Sequence, residues 1–233
     1  MNALEVERLS VSFGKTKVLD DLSFGVERGT TLAIIGPNGA GKSVLFRALI
    51  GAIPYRGAVR WASGTRIGYV PQKLDIERDL PITGNDFLRA KTSVSHARAD
   101  DSAVAASVAG LSEETLAMTI GAMSGGQFQR LMLAFALIGE PSVLLLDEPA
   151  AGIDAPGHEK MNEAIRRLQA ERGVTVLLIS HDLSVVYEYA TNVLCLGGER
   201  PWCGPPQTAL TTETLSELYG APLKFHVHDR IGN

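Results

Sequence analysis

Eight consecutive residues near the start of the chain, Gly36-Pro37-Asn38-Gly39-Ala40-Gly41-Lys42-Ser43, have the types and spacing to hold phosphate. Glycines let the backbone take left-handed turns, so several N–H groups can point inward at one anion. Lys42 adds a cation on a long stem that reaches β- and γ-phosphates, and the Ser43 hydroxyl is a hard oxygen donor for Mg²⁺. The pattern G-x-x-x-x-G-K-S works in this way between a strand and a helix, where the first N–H groups of the helix and its positive dipole end complete the cradle. A glycine-rich loop elsewhere would merely turn the chain.

A second group is acidic. The apolar run 143–146 (VLLL) ends in Asp147-Glu148, two carboxylates at the point where ligands of α/β folds bind, the carboxyl edge of a parallel sheet. Beside a phosphate cradle, Asp147 would hold Mg²⁺ through water and Glu148 would polarise an attacking water.

These groups need a scaffold, and the sequence predicts one. Residues 30–35 (TTLAII) form an apolar, β-branched run that leads through the glycine-rich turn into helix-like residues 42–50. Two more runs, 143–146 (VLLL) and 174–179 (VTVLLI), are also continuous rather than alternating, as expected of parallel strands covered on both faces. Between them Met161, Ala164, Ile165 and Leu168 fall at i, i+3, i+4, i+7, with Pro156 near the start and Gly173 past the end, which predicts a crossover helix.

Residues 75–140 lack strand signals. They hold an Ala-rich segment, 96–109, closed by Gly110, and a helix start at Ser112-Glu113-Glu114. Residues 4–27 alternate around a Gly14-Lys15 turn, and 57–61 and 65–70 look similar, which predicts a small antiparallel sheet beside the main one. The expected fold class is α/β: a P-loop NTPase core with a mainly parallel sheet, a small antiparallel β subdomain and an inserted helical subdomain. As domains, this is one unit over 1–233, with 1–74 and 141–233 forming the core and β subdomain and 75–140 the helical subdomain.

Composition narrows the function. A length of 233 residues, 45% of them apolar, suffices for one large domain with a real core. A formal charge of −4 and a pI near 5.8 provide no basic surface to neutralise phosphates, so nucleic acid is not expected as a partner. The two cysteines, Cys195 and Cys203, match neither a paired metal site nor a disulfide framework, which predicts a reducing compartment. Residues 1–10 carry charges instead of an apolar leader, and the longest apolar run, 131–139, is too short to cross a bilayer. A membrane role would come through partners.

With these motifs in place, the chain resembles the ABC ATPase family over essentially its full length. Met123-Ser124-Gly125-Gly126-Gln127 is similar to the LSGGQ signature of that family, which other P-loop ATPases lack. The resemblance makes Gln72, in Tyr69-Val70-Pro71-Gln72, the Q-loop glutamine. It makes Ala151-Gly152-Ile153-Asp154 the D-loop and His181, in Ser180-His181-Asp182, the switch histidine. It implies ATP and Mg²⁺ as ligands and a homodimer on ATP binding. Ser124, Gly125, Gly126 and Gln127 would then head a helix that closes on the γ-phosphate held by the other copy. Glu148, His181, Lys42 and Gln72 would serve catalysis, Asp154 would belong to the nucleotide site, and Ser43, Gln72 and Asp147 would hold the metal. Phe13, in Val11-Ser12-Phe13-Gly14, matches the aromatic that stacks on adenine; alone it would be assigned to the core.

Two departures stand out: Met123 replaces the commoner Leu, and Phe135 lies where the family often has Arg, which would remove a charge contact on that helix face. Within the family the chain is most similar to the ATPases of bacterial zinc and manganese importers. The pieces are Ile67-Gly68-Tyr69-Val70-Pro71-Gln72, Leu80-Pro81-Ile82-Thr83, Glu148-Pro149-Ala150-Ala151-Gly152-Ile153-Asp154, Val193-Leu194-Cys195-Leu196 and Leu218-Tyr219-Gly220. His226-Val227-His228-Asp229 is similar to the His-rich ends of some zinc-importer ATPases, and is also what a solvated tail looks like.

The resemblance implies integral-membrane permease subunits, an extracytoplasmic solute-binding protein, and a peripheral location on the cytoplasmic face of the inner membrane. The alternatives are an iron-chelate or other small-solute importer, or a soluble non-transport ABC ATPase. The last commonly has two fused cassettes or a coiled-coil insertion, whereas this chain has one cassette and no heptad run.

Overall fold

The computed structural model of the protein describes residues 1–72, 80–95, 97–98, 100–149, 155–197 and 201–220, the side chains of 155 and 156 excepted. The first elements are strands β1 (Asn2–Phe13), β2 (Thr16–Glu27) and β3 (Thr31–Ile35), helix α1 (Lys42–Leu49), and strands β4 (Arg56–Trp61) and β5 (Ile67–Val70). Helices α2 (Gly84–Ser95), α3 (Asp101–Val108), α4 (Glu113–Ala117) and α5 (Gly125–Leu137) follow, then β6 (Val143–Asp147), α6 (Ala155–Arg172) and β7 (Thr175–Ile179). Next come α7 (Leu183–Tyr189), β8 (Asn192–Cys195), β9 (Trp202–Gly204), α8 (Pro206–Ala209) and α9 (Thr212–Tyr219).

The chain divides into two units, Met1–Trp61 with the residues from Leu177 on, and Ala62–Val176; the cut falls inside β7. In the first unit β1 pairs antiparallel with β2 and β4, and Phe13 faces Thr16 across the two-residue Gly14-Lys15 turn. Gly14 takes the left-handed conformation that turn needs, at φ 60. This unit also carries the strand order β7-β3-β8-β9, with β3 and β8 parallel and β9 antiparallel to β8. The second unit carries the order β5-β6-β7, β5 and β6 being parallel.

Every residue of β3, β6 and β7 is buried, which is why these strands read as unbroken apolar runs. Each fully buried Leu or Ile there contributes about 1.5–3 kcal/mol relative to exposure. In α6 the stripe Met161, Ala164, Ile165 and Leu168 is buried, as its spacing predicts, and Gly173 ends the helix at φ 61.

Two expectations need correction. The alternation of residues 65–70 predicts a place in the antiparallel sheet, but β5 pairs in parallel with β6. It is the outer strand of that order and keeps an alternating burial pattern, and this alternation is what suggests a two-sided antiparallel strand. The Ala-rich helix expected over 96–109 is α3, beginning at Asp101; residues 96 and 99 lie outside the described residues.

The sequence of helix α2 carries little local helix signal, because it opens on Gly84-Asn85 and ends in Thr92-Ser93-Val94-Ser95, residues of low helix propensity. Its start is fixed instead by a reciprocal cap. The Thr83 N–H and hydroxyl donate to Asp86 (3.0 and 2.6 Å), and the Asp86 N–H donates back to the Thr83 hydroxyl (3.1 Å). These bonds from Thr83, its hydroxyl foremost, hold the Asp86 carboxyl below its ordinary range.

Both departures from the signature helix have a packing role. Buried Met123 reaches Gly84 with its terminal methyl, so close that a Cβ at Gly84 would lie 2.9 Å from it. Phe135 on α5 stacks on Phe87 of α2 at 4.7 Å between ring centroids, with the Lys91 ammonium 5.1 Å above its ring. The charge contact expected to be missing is replaced by an aromatic pair and a cation over it.

Candidate nucleotide site

The phosphate loop lies wholly in the first unit. Buried β3 ends at Ile35, and Gly36 takes φ 150, where a Cβ would fall on the Leu196 carbonyl. Gly39 and Gly41 take φ 85 and 91. A Cβ at Gly41 would press on Leu19 and Val18 of β2, at 2.9 and 3.0 Å. Glycine is therefore required by conformation at three points and by close packing at two of them.

Helix α1 begins directly after Gly41 with no side-chain cap on its first N–H groups. Lys42 Nζ donates to the carbonyls of Gly36 (2.8 Å) and Pro37 (3.0 Å), so in this state the ammonium rests on oxygens of its own loop. On its Ala40 flank the loop borders a groove of about 730 Å³ lined by Val18, Leu19, Leu196, Gly197 and Trp202.

Phe13 ends the β1 strand beside the turn and is 51% exposed, so its ring is an accessible face rather than a core residue. His181 is exposed and lies between two locked neighbours. The Ser180 hydroxyl accepts from the Asp182 N–H (3.1 Å), and Asp182 caps α7 by accepting from Ser184 (2.9 Å) and Val185 (3.3 Å). Sequence reasoning missed that capping role; an Asp one residue before an apolar helical run was the available signal.

In the second unit, the parallel register sets Val70 opposite Leu146, which carries Gln72 and Glu148 to corresponding positions two residues beyond. Their side chains meet: Gln72 Nε2 donates to Glu148 Oε2 at 2.8 Å. Asp147 is the buried last residue of β6, only 2% exposed. Glu148 is left-handed at φ 48, a conformation that costs a residue with a Cβ about 1–2 kcal/mol. The backbone thus turns sharply directly after the end of β6.

Ser124 caps α5 with a complete capping box: its hydroxyl accepts from the Gln127 N–H (3.2 Å) and its N–H donates to Gln127 Oε1 (2.8 Å). Gly125 and Gly126 open the 13-residue helix with no side chains over its N-terminal N–H groups. Asp154, His226 and His228 lie outside the described residues. The Ser43 hydroxyl of the first unit and, separately, the Gln72 amide oxygen and Asp147 carboxylate of the second are each hard oxygen donors, a type that Mg²⁺ takes and a soft metal does not.

The chain belongs to the ABC transporter family, matching it over residues 19–151, and is an ATP-binding, ATP-hydrolysing subunit. It is similar to the zinc import ATP-binding protein ZnuC of Roseobacter denitrificans, 41% identical over 94% of this chain and 85% of that protein. The protein of the same name from Yersinia pestis is 38% identical over 92% and 84%. Among solved structures it is similar to a metal-chelate type ABC transporter in an inward-facing conformation (TM-score 0.85, 25% identity, 95% of this chain and 90% of that one). It is also similar to an ATP-binding subunit of an ABC transporter (TM-score 0.78, 27% identity, 94% and 98%). Among the described residues no helix is long and apolar enough to cross a membrane.

Proposed function

We propose that this chain binds ATP on the loop of residues 36–43, that a second copy completes each site, and that closure of the pair powers a permease importing a metal cation, zinc above all. The observation that carries the catalytic part is the Gln72–Glu148 hydrogen bond: a carboxylate at one strand end is held by an amide at the next, in position to orient water.

Lys42 exchanges the Gly36 and Pro37 carbonyls for phosphate oxygens, and the amides of Pro37-Asn38-Gly39-Ala40-Gly41, proline excepted, line the same oxygens. Glu148 accepts a proton from the attacking water, Gln72 holds that carboxylate in place, and His181 orients the water toward the γ-phosphate. Ser124, Gly125, Gly126 and Gln127 of the second copy present the N-terminus of their helix to the same phosphate, with Asp154 at the dimer contact. Phe13 offers its ring to the adenine. Ser43, Asp147 and Gln72 would hold Mg²⁺, which supplies positive charge against the transferring phosphoryl group. Catalysis is thus positioning and electrostatics, with no covalent intermediate on the protein.

Residues 75–140 serve as the helical subdomain that responds to ATP through the loop of Gln72. The partners are membrane permease subunits and an extracytoplasmic solute-binding protein, with the chain peripheral on the cytoplasmic face of the inner membrane. Zinc is favoured because relatives at 36–41% identity are named zinc import proteins, whereas the metal-chelate neighbour is 25% identical. Manganese follows only from the motif resemblance. Deletion of the gene should lower cellular zinc and slow growth in zinc-depleted medium, with added zinc restoring growth. Unchanged zinc content, or rescue by a different solute alone, would refute the zinc assignment.

A further inference from the structure

Met123 is the last residue before the cap of the signature helix, and the chain around it is tied to the start of α2. Backbone bonds bring the two segments together. The Ile120 N–H donates to the Ile82 carbonyl (3.0 Å), the Gly84 N–H donates to the Met118 carbonyl (3.1 Å), and Thr83 bridges Thr119 in antiparallel fashion. A 3₁₀ turn over Ile120–Ala122 then leads to Met123, whose N–H donates to the Ile120 carbonyl (3.3 Å), and to Ser124, the cap of α5. Gly84 is buried on the other side of this junction. A Cβ built on it would lie 2.9 Å from the Met123 terminal methyl, and 3.2 and 3.3 Å from the Leu116 carbonyl oxygen and Cα. Gly84 is not left-handed, so space rather than backbone conformation calls for glycine there.

Of these neighbours, the Leu116 atoms are backbone of α4, whereas the Met123 methyl ends a side chain that is only 4% exposed. Met is unbranched and reaches one bond further than Leu, so its methyl takes the place that a side chain at residue 84 would fill. The bridge fixes residues 118–120, and further along it is the Met123 side chain that meets α2. We propose that Met123 and Gly84 are a matched positioning pair. The methyl seated on side-chain-free backbone sets where Ser124 begins α5, and with it where the helix N-terminus meets the phosphate held by the second copy. The inference rests on the reading that the signature completes the other copy's site. Carbon atoms in contact sit about 3.5–4.0 Å apart, so a Cβ at residue 84 would displace the methyl by roughly 0.6–1 Å. Misplacing positioned groups by about 1 Å costs up to about 10²-fold.

Dimer formation by the full chain in saturating Mg²⁺·ATP tests the pair, with Glu148→Gln as the parent so that bound ATP survives. Gly84→Ala, Met123→Leu and the two together are placed in that parent, and light scattering reads the protein concentration that gives half dimer. Mg²⁺·ADP affinity and the thermal midpoint are measured alongside, because ADP lacks the γ-phosphate and the loop of residues 36–43 belongs to the other unit. We expect Gly84→Ala to raise the half-dimer concentration about tenfold, with the ADP Kd within about twofold of the parent. Leu at 123 withdraws the methyl that meets the new Cβ but leaves the Leu116 backbone, so the double variant should recover most of that loss. An unchanged half-dimer concentration in Gly84→Ala, with or without a lowered midpoint, makes the pair a packing contact and overturns the proposal. A double variant no better than Gly84→Ala does the same. A parent that stays at the mass of one chain in ATP would instead overturn the two-copy reading, and the proposal with it. If Gly84→Ala fails to fold, Met123→Leu alone decides: a raised half-dimer concentration at unchanged ADP affinity supports the pair, and no rise overturns it.

Discussion

Gly36→Ala and Gly39→Ala change the same kind of residue in the same loop, three positions apart, and should differ sharply in cost. Gly39 has φ 85, and a Cβ built there meets nothing within 4 Å, so only the backbone conformation is penalised. That is about 1–2 kcal/mol for a residue with a Cβ held left-handed. Gly36 has φ 150, in territory used almost solely by glycine, and its Cβ would fall on the Leu196 carbonyl. That carbonyl cannot simply retreat, because the N–H of the same residue is bonded to the Ile35 carbonyl at 2.8 Å. Conformational penalty and displaced backbone together come to about 3–5 kcal/mol, a large fraction of the ~5–15 kcal/mol by which a domain is stable. Urea titrations of the nucleotide-free proteins read the difference directly. Thermal midpoints should fall by about 3–6 °C for Gly39→Ala and by about 10 °C or more for Gly36→Ala. Costs equal to within about 1 kcal/mol would refute the argument that close approach to Leu196 fixes the start of the loop.

Two further outcomes are expected. Glu148→Gln keeps a group that can accept the Gln72 hydrogen bond but loses the base, so nucleotide should still bind while turnover falls about 10²- to 10⁴-fold; near-normal hydrolysis would remove Glu148 from its role. Burial, with the neighbouring Cys203 thiol adding to it, pushes Cys195 up from 9.0 to about 12, so the folded state favours the neutral thiol. The stability this contributes is complete below pH 9 and is lost as pH rises toward about 12. Urea midpoints across that range should fall less steeply for Cys195→Ala than for wild type, and parallel slopes would contradict the assignment.

The parts of the fold legible in the sequence are those where one physical demand dominates. Strands β3, β6 and β7 must be apolar throughout because every residue in them is buried, and residues 36–43 must be glycine-rich because the backbone turns left-handed and touches its neighbours. The signature helix start came from the resemblance to LSGGQ alone, although Ser124 and Gln127, three residues apart, form a capping box that was a local signal for it.

What escaped depends on partners distant in sequence. Strand β5 alternates like a surface hairpin strand, and only its register with β6 reveals it as parallel. The meeting of Gln72 with Glu148 follows from that same register across 76 positions, which no local pattern encodes. From sequence alone Phe135 signals only the loss of a charge, because Phe87 and Lys91, which make the replacement contact, sit on a helix with little local signal.

The account turns on an ATP site that one copy of the chain cannot complete. Light scattering coupled to size-exclusion chromatography of the Glu148→Gln variant, with and without Mg²⁺·ATP, measures this most directly. The account predicts a shift from the 24.9 kDa chain mass to twice that value when ATP is present, and no shift when Ser124 is also replaced by a bulky residue. A variant that binds ATP tightly and remains at the mass of a single chain would contradict it.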